Sequence, residues 1–226
     1  MRYGGKPPAT VPRNFLKAVF MIQAIQPHYA GVPVKKIRYA DEEGLFMNTE
    51  DAIRTQAWKT GRLKIAYESG LTMFVNRGKK NWTVTWREGT LTLPENGYLA
   101  DLPGHVFAYS ALKDGRRVDF LRAPERVYCD GRGTETDFDS LKAARAYLLE
   151  YDAERMWLVP APFEAEETVR LELNPPAQGE KVKVEVIACD RTGTPLRPAQ
   201  FKQTGTTVEI KTEKGPFKYL IQKKQM

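Results

Sequence analysis

The residues able to do chemistry are few in this chain, and none falls into a catalytic spacing. His28 and His105 have no Cys or Glu partner at metal-ligand spacing, and each reads as a packed or surface histidine rather than a catalytic one. Cys129 and Cys189 belong to no C-x-x-C or Cys/His pattern, which points to two inert thiols. No G-x-S-x-G elbow, dinucleotide fingerprint or H-E-x-x-H segment occurs. Nothing selects a glycosidase-type pair among the 28 Asp and Glu. The Asp130-Gly-Arg-Gly133 segment lacks the Gly-Lys-Ser/Thr of a phosphate loop and reads as a structural turn. No catalytic residue, metal or cofactor is expected.

Aromatic side chains are the one feature with a ligand role in view. Trp82 and Trp86 are four apart in a candidate strand and so share a face. With Tyr98 and a neighbouring amide, Asn76 or Asn81, they make a flat platform of the kind on which sugar rings stack. The competing reading is that Trp82 and Trp86 build the sheet core, as large aromatics do.

The elements around them read as β. Between Ile65 and Asp101, short β-branched and aromatic runs are punctuated by Ser-Gly, Arg-Gly and Asn-Gly. Strands are expected at 63–67, 71–75, 82–86, 90–93, 97–102, 105–112, 117–121 and 126–129. Asn96-Gly97 and Asp114-Gly115 are placed to supply the positive φ of tight turns. Residues 48–58 open with capping and acidic residues and predict a short helix. Residues 140–145 predict a helical turn, followed by a hairpin across Asp152. The proline-rich run at 159–163 reads as a join. Beyond it, strict alternation at 168–173, 181–188, 207–211 and 217–221 predicts a small immunoglobulin-like sandwich.

The fold class is therefore mainly β: two antiparallel β-sandwich-like domains with an N-terminal helix and one short helix. The expected division is an N-terminal helical segment at 1–30, a first β domain at 31–160 and a small sandwich at 161–226. With 226 residues the chain is long enough to bury a core.

The N-terminal helix is predicted over 15–26, with Thr10 as cap, Pro12 in the first turn and Pro27 as stop. Its polar residues Lys17, Gln23 and Gln26 do not gather into one face, the pattern of a helix buried on several sides. The apolar run is too short for a membrane span. As a secretory signal it would have a basic start and an apolar centre, but its Gly-Gly-Lys-Pro-Pro opening is a poor n-region and no small-x-small cleavage site follows Ile25 cleanly. Side chains such as Phe15, Val19 and Ile22 should leave an apolar patch, and removing residues 1–26 is expected to improve solubility if the β core survives.

The net charge of +7 is confined to the N-terminal segment. Seven basic residues precede Asp41, the first acidic one, and the remaining 28 Lys and Arg are matched by 28 Asp and Glu. No basic stripe interleaves with stacking aromatics, which argues against nucleic acid as a partner.

Several phrases together resemble the C-terminal region of large bacterial glycoside-hydrolase-like proteins. They are Met21-Ile-Gln-Ala-Ile-Gln-Pro-His-Tyr29, Tyr67-Glu-Ser-Gly-Leu-Thr-Met-Phe-Val-Asn76, Trp82-Thr-Val84, Leu93-Pro-Glu-Asn-Gly-Tyr98 and Asp114-Gly-Arg-Arg-Val-Asp119. The likeness covers roughly residues 15–133. In such proteins a (β/α)8 catalytic barrel ends in a helix and is followed by β-sandwich modules. The resemblance implies that the helix at 15–26 is the last barrel helix and that the catalytic carboxylates lie outside this chain. The chain is then expected to be a fragment or separately encoded tail of a bacterial, secreted or periplasmic protein. Its partner would be the barrel, with carbohydrate as the alternative ligand.

Overall fold

A computed structural model describes residues 13–87, 89–138, 140–152, 155–161, 166–173 and 183–223, without the side chains of 13–16, 161 and 223. Thr10, Pro12, the Phe15 side chain and residues 162–163 of the proline-rich join lie outside the described residues. Helix α1 spans Arg13–Ile25, and a 3-10 turn containing Pro27 ends it. No described helix is long and apolar enough to cross a membrane. Helix α2 (Thr49–Thr55) starts as its capping residues dictate: the Asn48 side chain accepts a hydrogen bond from Asp51 N at 2.8 Å, with Glu50 and Asp51 in the first turn.

The rest is antiparallel β. The first strands are β1 (Val34–Ala40), β2 (Phe46–Met47), β3 (Arg62–Tyr67), β4 (Thr72–Asn76), β5 (Trp82–Trp86) and β6 (Gly89–Leu93). A meander follows through β7 (Gly97–Leu102), β8 (Val106–Lys113), β9 (Arg116–Ala123) and β10 (Arg126–Asp130). Then come β11 (Thr136–Asp137), β12 (Leu141–Ala143), β13 (Ala146–Tyr151), β14 (Arg155–Ala161) and β15 (Thr168–Glu172). The last are β16 (Val184–Cys189), β17 (Pro195–Pro198), β18 (Phe201–Thr204), β19 (Thr207–Lys211) and β20 (Lys218–Lys223).

The large sheet runs β17-β16-β20-β14-β13-β10-β9-β8-β7-β4-β3-β1-β2, and a smaller one runs β11-β12-β15-β19-β18. The β5–β6 hairpin hangs from β8 through the pair Thr92 and Leu112. Strands on either side of residue 161 share both sheets, because β14 pairs with β20 and β12 with β15. Pro160 lies in β14 past its last pair with β20, where a missing N–H is tolerated. Prolines also bracket β17, an edge strand, and discourage further pairing there.

Two local expectations are corrected. Residues 141–143 form a strand, not a helical turn, since Leu141 and Ala143 both point into the core two residues apart. At the β6–β7 turn it is Asn96, with φ 56°, that takes the left-handed conformation. Gly97 is needed for close approach: a Cβ there would come within 2.8 Å of the carbonyl oxygens of Pro94 and Ser110. The β8–β9 turn matches expectation, with Asp114 at φ 52° and Gly115 at φ 74° between the paired Lys113 and Arg116.

Strand alternation sends alternate rows of the large sheet to opposite faces. The row Leu99, Tyr109, Phe120, Cys129 and Tyr147 faces the smaller sheet, meeting Leu141, Val169, Leu171, Val208 and Ile210. Farther along that face, the β5–β6 hairpin folds Trp82 and Val84 onto Phe74 and Leu99. The row Ala100, Ala108, Leu121, Tyr128 and Leu148 faces the other way, and α1 lies over it. The small side chains of Ala100 and Ala108 leave room for Met21 and Ile25, which are 1% and 4% exposed.

Candidate functional site

The α1-bearing face carries the molecule's most concentrated charge chemistry. Tyr98, Ser110, Asp119 and Asp130 stand directly opposite one another across β7, β8, β9 and β10, so all four point toward the helix. Lys17 reaches down from α1, one helical turn before Met21, and its ammonium lies 2.5 Å from Oδ1 of the fully buried Asp119. Arg132 Nη2 meets Oδ2 of the same carboxylate at 2.8 Å. Ser110 Oγ accepts from Lys17 Nζ at 3.2 Å and from Arg117 Nε at 2.9 Å. The remaining Arg117 nitrogens donate to the carbonyls of Glu95 and Asn96. Burial pulls the Lys17 ammonium below the ordinary lysine value, against the opposite pull of Asp119, while Arg132 and Arg117 push it the same way as burial. Burial also raises the Tyr98 phenol, which donates to Met21 Sδ. The arrangement fixes a helix to a sheet; each polar atom named is committed to another.

The four residues expected to form a sugar platform do not share one open surface. Trp82 is 3% exposed and packs edge-on against Phe46, with Phe74 at 6.1 Å. Trp86 is half-buried and stacks on Phe107 with 5.7 Å between centroids. Tyr98 lies on the opposite face, under α1. Asn76 is fully buried: its amide nitrogen donates to the carbonyls of Lys80, Leu93 and Pro94, and its oxygen accepts from Gly78 N. The hairpin carrying Trp82 folds inward because Trp82 and Val84 alternate with the exposed Thr83 and Thr85, so the core reading of Trp82 holds.

Among the described residues, α1 does not extend over the whole of the α1-bearing face. Helix α1 contacts β8 and β9, with Phe20 against Tyr128 of β10 and Met21 against Tyr98 of β7. Beyond it, the facing rows of β1, β3 and β4 are apolar: Ile37, Ile65 and Met73 in one, Tyr39, Leu63 and Val75 in the next. All are half-buried except Ile37, which is 38% exposed. Ile22 on α1 is 47% exposed, while Val19 is half-buried. Where this floor reaches α2, it opens into a cleft of about 430 Å³ beside Trp58 and Arg77.

The other chemically able groups are engaged or isolated. The fold brings His28 and His105 together with ring centroids 5.7 Å apart. Among the described residues, no three His, Cys, Asp or Glu side chains could hold a metal ion. Cys129 and Cys189 are both buried thiols whose pKa burial raises. Asp101 is held by a bidentate Arg87 at 2.7 and 2.9 Å.

No family model, curated protein or solved structure matches this chain. The reading of its site therefore rests on its own geometry. Sequence reasoning counted Lys17 among the scattered polar residues of an apolar helix and gave no site role to Ile37, Tyr39 or Arg77. The signal for the floor was present in the alternation of Ile37/Tyr39, Leu63/Ile65 and Met73/Val75; no local pattern showed how far α1 would reach across it.

Proposed function

We propose that this chain is a non-catalytic accessory region that packs on a second folded body through the uncovered floor beside α1. One observation carries the reading: among the described residues, six apolar or aromatic side chains from β1, β3 and β4 line up in two adjacent rows on the α1-bearing face beyond β8 and β9, with Ile37 open to water and α2 reaching only the Tyr39–Leu63 end. Contiguous apolar surface of this kind on a soluble protein marks an interface. The resemblance to sheets that follow catalytic barrels supplies the partner: a glycoside-hydrolase barrel, in cis or as a separate chain. In this reading α1 belongs to the accessory region, since Met21 and Ile25 fill its second core. The expectation that removing residues 1–26 helps solubility is accordingly reversed: deletion exposes Ala100, Ala108, Leu121 and Tyr128 and should cause aggregation.

Light scattering on the isolated chain tests the proposal. The chain alone is expected to self-associate through the floor. Ile37→Asp, at a position already open to water, should shift it toward monomer with an unchanged circular dichroism spectrum. A monodisperse wild-type monomer would overturn the interface. Hydrolysis of aryl-glycosides, abolished by changing one carboxylate within the chain, would overturn the non-catalytic role.

A further inference from the structure

The cleft at the α2 end of the floor gathers unengaged polar groups around an exposed indole. It is lined by Tyr39, Thr49, Ile53, Trp58, Leu63 and Arg77, and its volume of about 430 Å³ falls in the range of small-ligand sites, roughly 300–1,000 Å³. Trp58 is 51% exposed and Ile53 64% exposed. A large aromatic left open to water on a short 3-10 turn contributes little to the core and offers a flat apolar face to a ligand. The Arg77 guanidinium, the Tyr39 hydroxyl, the Thr49 hydroxyl and Trp58 Nε1 make no hydrogen bond within the described residues. Several other arginines are engaged: Arg62 on three carbonyls, Arg87 on Asp101, Arg132 on Asp119, Arg170 on Glu209.

The cleft is also firmly based. Arg77 N donates to Gly61 O at 2.8 Å, and Gly78 N to Asn76 Oδ1 at 3.0 Å. Gly61 and Gly78 approach so closely that a Cβ on Gly61 would lie 2.8 Å from Gly78 N. The loop that presents Arg77 is thus held at its root. Arg77 is the one charged residue in the lining, and no carboxylate lines the cleft. Lys59 adds positive potential, its ammonium 5.8 Å from the Trp58 ring centroid and held by Gln56 Oε1.

We infer that this cleft binds an acidic pyranose, a uronate residue of an oligosaccharide. An indole face takes the C–H face of a sugar ring. An unpaired guanidinium takes a carboxylate in two parallel hydrogen bonds. The Thr49 and Tyr39 hydroxyls can both donate to and accept from ring hydroxyls. The charge of the lining selects the anionic sugar over a neutral one; Tyr39 and Leu63 belong to both the floor and the cleft, while Thr49, Trp58 and Arg77 belong to the cleft alone.

Titration of the full chain with defined oligogalacturonates, against neutral oligosaccharides of equal length, tests it through tryptophan fluorescence and calorimetry. Saturable uronate binding that weakens with salt is expected. Trp58→Ala and Arg77→Gln should each weaken it about tenfold or more, the scale of one lost charge-assisted contact. Both side chains are exposed, so the thermal midpoint should hold and a loss of binding can be read as such. Ile37→Asp, which breaks the docking floor, should leave uronate binding in place. No saturable binding at millimolar uronate, or binding indifferent to both substitutions, would overturn the site. Equal binding of the neutral sugar, unaffected by Arg77→Gln, would overturn the choice of an anionic ligand.

Discussion

The ammonium of Lys17 lies 2.5 Å from the carboxylate of Asp119, and this ion pair ties helix α1 to the centre of the large sheet. The two residues are far apart in sequence, yet strand alternation and helical period meet there. In β9, Val118 and Phe120 point to the inter-sheet core, so Asp119 and Leu121 point to the helix. On α1, Lys17 shares a stripe with Met21 and Ile25. The lysine is the polar end of an otherwise apolar contact.

Removing the carboxylate should be the most damaging single change at this contact. Asp119→Asn leaves Lys17 and Arg132 without their shared counter-ion, and buried pairs broken from one side cost roughly 3–5 kcal/mol. We expect the low end, about 3 kcal/mol, because Lys17 and Arg132 keep some contact with water. Lys17→Met should cost less, since Asp119 retains Arg132 and the new side chain extends the Met21–Ile25 stripe. Urea denaturation of both variants checks the order; a more severe Lys17→Met would show that Arg132 is not the stronger partner.

The same lysine gives the protein a pH dependence of definite sign. Burial holds its folded-state value below the ordinary lysine value of 10.5, so unfolding takes up a proton in the interval between the two. Stability from this group therefore rises as pH climbs through that interval, and the burial penalty is complete below it. Arg117, Arg132, Asp119 and Tyr98 surround the ammonium, and near pH 10 phenols of the unfolded chain begin to ionise while buried Tyr98 does not, which reverses the trend. As pH climbs toward 10, urea midpoints should rise more in the wild type than in Lys17→Met. Parallel curves would show that the lysine does not titrate differently on folding.

Much of the fold was legible because strand alternation is a local signal. Val169 and Leu171, or Trp82 and Val84, declare an inward face within five residues. Turn chemistry was legible at Asp114-Gly115 for the same reason. What escaped was long-range. No window of sequence reveals that Lys17 meets Asp119, that α1 lies over β8 and β9 while Ile37 stays open to water, or that Arg77 has no partner among the described residues beside Trp58. At 141–143 the local signal was too short to separate helix from strand, and pairing with β15 decided it.

Asn76 offers the cleanest separation between a binding role and a structural one. As part of a sugar platform, its replacement by Ala would leave stability within about 0.5 kcal/mol, the usual range for a surface change. In the fold its amide closes the end of β4 against the β6–β7 turn: nitrogen to the carbonyls of Lys80, Leu93 and Pro94, oxygen from Gly78 N. Asn76→Ala leaves these groups buried without partners, and stranded polar groups cost about 1–3 kcal/mol each before water or relaxation repairs some of them. We expect a net loss on the order of 3 kcal/mol. Asn76→Asp should be no better, because an acceptor oxygen then faces three carbonyl oxygens. The Gly78 loop also roots Arg77, so both variants should weaken any ligand at the Trp58 cleft while Trp82 stays buried. Denaturant midpoints, read with acrylamide quenching of tryptophan fluorescence, measure both effects; an Asn76→Ala protein of wild-type stability would return this residue to the surface.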